Sequence, residues 1–195
     1  MLVIGLTGSV AMGKTTTAAM FLRRGVPVHD ADAAVRKLYQ GGAVAAIEAA
    51  FPGVTVAGTV DRARLAERVL NEAGALARLE TIVHPLVRES EAAFLAECEA
   101  KGYRTVVLDV PLLLETGGSE RVDVIVVVSA DAAVQRDRVL SRPGMTEAKF
   151  AALMARQMPD SEKRRRAHFI VDTGRGIAAA AREVDAILRA LAPAP

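Results

Sequence analysis

The run Gly8-Ser9-Val10-Ala11-Met12-Gly13-Lys14-Thr15 fits the spacing G-x-x-x-x-G-K-[ST]. It lies directly between an apolar run of strand length, "LVIGLT", and a stretch that reads as a helix. In that setting successive backbone N–H groups line a concavity that holds nucleotide phosphates, and the helix N-terminus places a partial positive charge beneath them. Lys14 supplies a point charge to the outer phosphates, the Thr15 hydroxyl ligates Mg²⁺, and Gly13 allows close backbone approach. These residues define a nucleotide site but not a reaction.

Carboxylates and arginines elsewhere supply candidates for the reaction. Asp30 and Asp32 in "VHDADAAVRKLY" end a second strand and open a helix. Paired at i and i+2, they suit positioning Mg²⁺ or accepting a proton from an acceptor hydroxyl, while one of them alone would read as a helix cap. Asp109 in "VVLDVPLLLE" ends a central strand, where a second Mg²⁺-linked carboxylate fits, and Glu115 follows three leucines. His84-Pro85 reads as a structural helix break at least as readily as a site. Arg136, Arg138 and Arg142 lie on a predicted helix running into "SRPGMT". The i, i+4 spacing places Arg138 and Arg142 on one face, suited to closing over a transferring phosphate. Lys163-Arg164-Arg165-Arg166, preceded by Asp160 and Glu162, reads as a helix surface or a helper for an anionic substrate.

The elements that must position these residues alternate. Apolar runs at 2–7, 105–110, 122–129 and 168–172, with a short fifth at 26–30, are continuous, as strands covered on both faces are. Helices are predicted over 13–24, 32–40, 43–51, 61–71, 75–101, 131–141, 146–157 and 176–192, with Asp61, Asp131 and Thr146 at N-cap positions. The alternation predicts a doubly wound α/β fold. The interval between the strands near 28 and 107 reads as entirely helical, a subdomain inserted beside the sheet. Pro85 is expected to kink or break its helix, and the tail "ALAPAP" to fray.

Composition narrows the function classes. The 195 residues suit one domain, with room for an inserted subdomain. With five Phe, two Tyr and no Trp, the core must be built from Ala, Val and Leu. A formal charge of +2 is too small to argue for a nucleic-acid partner. Cys98 is the single cysteine, which excludes an internal disulfide and suits a reducing compartment. With neither a membrane-length apolar run nor a secretory signal, the expected location is cytoplasmic.

Taken together, "GLTGSVAMGKTT", "GVPVHDADAAVRKLY", "LETIVHPLVR", "VLDVPLLLETG", "VQRDRVLSRPGMT" and "RQMPDSEKRRRAHFIVDTG" resemble the dephospho-CoA kinase family over nearly the whole chain. The resemblance implies a three-layer α/β/α P-loop kinase fold with a five-stranded parallel sheet. It implies a core at 1–31, 103–135 and 167–195, a helical CoA-binding insertion at about 32–102 and a lid at about 136–166. The implied activity is ATP-dependent phosphorylation of the ribose 3′-hydroxyl of dephospho-CoA, with ATP, Mg²⁺ and dephospho-CoA as the only partners and a monomer or weak homo-oligomer as the assembly. Asp32 is then the base, with Asp30 supporting it. Gly8, Ala11, Met12, Gly13, Lys14, Thr15 and Thr16 hold ATP, and Arg138 and Arg142 belong to the lid. His84, Leu113 and Glu115 line the acceptor side.

The chain departs from the family pattern in three places. Ala11 replaces a usual glycine, which a Cβ tolerates if φ stays negative. His168 replaces a usual aspartate, a structural position. Thr173 replaces a frequent asparagine and is expected to alter contacts near the adenine. The alternatives are another P-loop small-metabolite or nucleoside monophosphate kinase, or a non-catalytic ATP-binding protein that contacts nucleic acid through Lys163 to Arg166.

Overall fold

In the computed structural model, which describes residues 1–192, the chain forms two compact units. One comprises Met1–Val28 and the chain from Cys98 onward, the other His29–Glu97. Pro193, Ala194 and Pro195 of the tail lie outside the described residues.

The sheet comprises β1 (Leu2–Thr7), β2 (Val28–Asp30), β5 (Thr105–Asp109), β6 (Val124–Ser129) and β7 (Phe169–Asp172), in the order β2-β5-β1-β6-β7, and all of it falls in the first unit except His29 and Asp30 of β2. The pairs β1–β5, β1–β6 and β6–β7 are parallel. Strand alternation divides β6 between two cores. Val124, Val126 and Val128 pack with Met20 and Phe21 of helix α1 (Lys14–Leu22) and with Val184 and Ile187 of helix α9 (Ile177–Ala190). Ile125 and Val127 face the other way, against Leu113, Leu114 and Met158. Because both faces are covered, the strands are apolar runs with no polar alternation. Arg24 ties α1 to α9, with its Nε 2.5 Å and its Nη2 2.8 Å from the two oxygens of Asp185.

In the second unit, α2 (Ala31–Leu38), α3 (Val44–Ala50), α4 (Arg62–Asn71) and α5 (Ala75–Ala100, which runs on into the first unit) enclose a core that includes Ile47, Phe51, Leu65 and Val83. One expectation fails here and a second is narrowed. The interval is not entirely helical, because β3 (Thr55–Val56) and β4 (Thr59–Val60) form an antiparallel ribbon. The Ala57-Gly58 loop joining them has both residues at positive φ, 49° and 77°, as a two-residue hairpin turn requires. Alanine is unusual at the first of these positions, so the turn signal in the sequence is weak. Pro85 does not break its helix either, as α5 runs continuously through it. Leu79, Ile82, Leu86 and Val87 pack into the same core on both sides of Pro85, and that burial offsets the lost backbone bond. Asp61 and Thr146 cap α4 and α7 (Glu147–Met154) as expected, and Asp131 stands at the N-cap of α6 (Ala132–Leu140) without a side-chain cap bond.

His29 is buried in this unit, with its ring 5.4 Å from that of Phe94 and its Nε2 3.1 Å from the Ser90 hydroxyl. Burial pushes its imidazole below the ordinary value of 6.5, against the opposing pull of Glu91 and Asp30. As pH falls through 6.5, the unfolded chain therefore takes up a proton that the folded one resists, and stability declines. Urea midpoints measured between about pH 7.5 and 5.5 should fall in the wild type and flatten in His29→Gln. Equal slopes in the two proteins would refute this assignment.

Candidate active site

The strand β1 ends at Thr7, and the loop from Gly8 to Gly13 carries the chain into α1. Two glycines are fixed by geometry. A Cβ on Gly8 would sit 2.5 Å from the Val128 carbonyl oxygen, and Gly13 has φ 91° with Thr173 against it. As the N-cap of α1, Gly13 offers no side-chain acceptor, which leaves first-turn N–H groups facing the loop. Ser9 lies in the same loop with its hydroxyl buried and, among the described residues, without a partner. Open helix N–H groups together with an orphaned hydroxyl suit phosphate oxygens.

Lys14 Nζ lies 2.5 Å from Oδ1 of Asp109 at the end of β5, and both side chains are largely buried. Thr15 and Thr16 are exposed in the first turn of α1, whereas Thr17 turns inward and donates to the Gly13 carbonyl. Among the described residues no group of three or more His, Cys, Asp or Glu could hold a metal ion. The Thr15 hydroxyl beside a phosphate cradle, with Asp109 next to Lys14, fits a Mg²⁺ that keeps most of its ligands from phosphate and water.

The loop departs from expectation at Ala11. Its φ is +61°, in the left-handed region and not negative. A left-handed L-residue costs roughly 1–2 kcal/mol. Ala11→Gly is therefore expected to raise the unfolding free energy by about 1 kcal/mol, read from chemical denaturation, with no gain if the backbone is unstrained there.

Four side chains from distant elements fasten this loop, and none of them carries a sequence signal for doing so. Gln135 on α6 donates from Nε2 to the Val10 carbonyl at 2.8 Å. Gln157, beyond α7, accepts from the Val10 N–H at 3.1 Å. Thr173, just after β7, donates from Oγ1 to the Met12 carbonyl at 2.7 Å. Arg138 donates to Thr173 Oγ1 at 2.9 Å, to the Thr173 carbonyl at 2.8 Å and to the Ala11 carbonyl at 3.4 Å. Thr173 is thus occupied with loop and sheet backbone, not presented to an adenine.

The arginine pair is corrected accordingly. Helix α6 ends at Leu140 and its C-cap is Ser141, so Arg142 lies in the following turn and shares no helical face with Arg138. Arg138 is bound to the loop and to the end of β7, Arg142 is exposed, and Arg136 pairs with Glu147 of α7.

Lys163, expected on a basic surface, is fully buried in α8 (Asp160–Arg166) and forms an ion pair at 2.8 Å with Glu115. Glu115 also accepts from the Met158 N–H at 3.0 Å, so its carboxylate serves the protein interior. Leu113 is fully buried with Ile125 and Val127, and its side chain packs in the core; Leu112 is the exposed leucine of the three. His168 accepts from the Ile125 N–H through Nδ1 at 3.0 Å, a bond that an aspartate carboxylate could equally accept.

In the second unit Asp30 is the N-cap of α2. Its Oδ1 accepts from the Ala33 N–H at 2.8 Å and its Oδ2 lies 3.4 Å from Arg36. Asp32, the second residue of that helix, is exposed and makes no hydrogen bond or ion pair among the described residues. His84 is exposed on α5 and lines a surface hollow of about 530 Å³ with Glu80, Thr81 and Arg88.

A parallel sheet whose first strand delivers a glycine-bounded loop, a lysine and an open helix N-terminus defines the P-loop kinase class. A shikimate kinase from Aquifex aeolicus shares that fold with TM-score 0.55 at 15% identity, covering 97% of each chain. The family described as "CoaE: Dephospho-CoA kinase" matches residues 2–179. A dephospho-CoA kinase from Mesorhizobium japonicum is 61% identical over 188 residues, 96% of this chain and 95% of that one. A crystal structure of TT1252 from Thermus thermophilus superposes with TM-score 0.86 at 32% identity, covering 98% of each. The chain belongs to the dephospho-CoA kinase family.

Proposed function

We infer that the chain is an ATP-dependent kinase that phosphorylates the ribose 3′-hydroxyl of dephospho-CoA, giving CoA and ADP. The carrying observation is a complete phosphate loop, with Lys14 held at an open helix N-terminus, in a chain that matches the family over residues 2–179.

The acceptor oxygen attacks the γ-phosphorus, the bond to the β-phosphate bridging oxygen breaks, ADP leaves, and the hydroxyl proton passes to Asp32. The backbone N–H groups of Ala11 and of Gly13 to Thr16 bind the phosphates, while that of Met12 is taken by the Ser9 carbonyl at 3.2 Å, and Lys14 meets the charge that builds on the outer phosphates. Thr15, with Asp109, would hold Mg²⁺, which offsets phosphate charge when bound. Arg142, in the turn before α7, is the arginine free to approach the phosphoryl group, while Arg138 keeps the loop in shape. Asp30 fixes the start of α2 and so the position of Asp32. His84 belongs to the acceptor side.

Small-molecule substrates suit this site, and among the described residues no helix is long and apolar enough to cross a membrane. Burial of Lys163 removes one of the four cations on which a nucleic-acid reading rested. ADP release with dephospho-CoA, compared with a panel of nucleoside monophosphates, tests the substrate. Turnover with a monophosphate and none with dephospho-CoA would overturn it.

A further inference from the structure

We propose that Gln135 and Gln157 are positioning residues for ATP, which clamp both backbone groups of Val10 and so hold the left-handed Ala11 in the shape that binds phosphate. The proposal rests on the reading of this loop as the ATP site.

The loop has neither helix nor sheet partners for its backbone, so its polar groups must be satisfied otherwise. At Val10 both are taken by side chains: Gln135 Nε2 reaches the carbonyl at 2.8 Å and Gln157 Oε1 the N–H at 3.1 Å. Only one amide orientation fits each bond, because a carbonyl can only accept and an N–H can only donate. The Val10 N–H is therefore committed to the protein, and the phosphate cradle begins at Ala11. An alternation into the left-handed region is what turns successive N–H groups toward one anion, and Ala11 makes that turn with φ +61°. An alanine there resists the turn by roughly 5–30-fold in the loop's own conformational equilibrium. Gln135 is buried on α6, and Gln157 comes from beyond α7, so two separate elements hold the residue immediately before the strained one. A glycine at position 11 would need the clamp less.

The test is ATP affinity by calorimetry on the full chain, together with the KM values for both substrates. Gln157→Met is expected to weaken ATP binding by roughly 5–10-fold while leaving the KM for dephospho-CoA unchanged. In the Ala11→Gly background the same substitution should cost about 2-fold or less. Glutamates provide a matched pair: Gln157→Glu keeps the acceptor that Val10 N–H needs, Gln135→Glu loses the donor, and both add the same charge. Gln135→Glu should therefore be the worse of the two. Equal losses in the alanine and glycine backgrounds, unchanged ATP affinity in Gln157→Met, or Gln157→Glu the worse glutamate would each overturn the proposal. If the wild-type chain binds no ATP, the reading of the loop itself fails instead.

Discussion

Lys14→Ala is expected to lower ADP formation by at least roughly 10²–10³-fold while the protein remains folded. The ammonium lies at the start of α1, beside the phosphate loop and 2.5 Å from Asp109. Arg138, which is bound to the loop, spends its donors on Thr173 and the Ala11 carbonyl, so it cannot move forward without giving up those bonds. Held in a largely buried pair, a fixed charge stabilises developing phosphate charge more than a fully solvated one would. Lys14→Arg should rescue poorly, because a planar fork cannot replace a compact point charge in the same space. Because Asp109 also loses this ammonium, thermal unfolding should be measured alongside kcat. A folded Lys14→Ala protein with near-normal turnover would remove the loop lysine from the mechanism.

Asp32→Asn should reduce kcat by roughly 10²–10⁴-fold with ATP affinity retained, whereas Asp30→Asn should be mild. The structure separates two carboxylates that are indistinguishable by spacing. Asp30 is engaged as the N-cap of α2, and an asparagine there still accepts the Ala33 N–H. Asp30→Ala lacks that acceptor and should cost about 1 kcal/mol of stability. Asp32 has the opposite character: exposed, unpartnered among the described residues, and two residues beyond the cap. A carboxylate with no structural duty is the one available to take a proton. Measuring kcat and ATP Kd for both asparagine variants decides the matter, since a crippled Asp30→Asn with a mild Asp32→Asn would reverse the roles.

Elements and motif alike were legible because their causes are local. The apolar run of β1, the glycine spacing of the loop and the caps Asp61 and Thr146 all act over a few residues. The eight predicted helices therefore appear within a few residues of their expected ends. The ribbon at 55–60 was hidden because its turn uses alanine at a positive φ, and the continuity of α5 because one proline is outweighed by core packing on either side.

What the sequence by itself determined was a strand, a phosphate loop and a helix in the right order, with a carboxylate pair at the start of a second helix. Only the tertiary structure decided how that loop is held. Val10 meets Gln135 and Gln157 across separations of 125 and 147 residues, and Met12 meets Thr173 across 161. Lys163 likewise left an apparent surface run for a buried pair with Glu115, which pins the segment at Met158. Glutamines and threonines have no periodicity that announces a distant backbone partner. Such bonds form because parallel crossovers bring the end of β7, the helix α6 and the stretch after α7 to the loop, where unpaired backbone groups must be satisfied. The left-handed turn at Ala11 belongs to that network: its own side chain disfavours the conformation, and the surrounding bonds impose it.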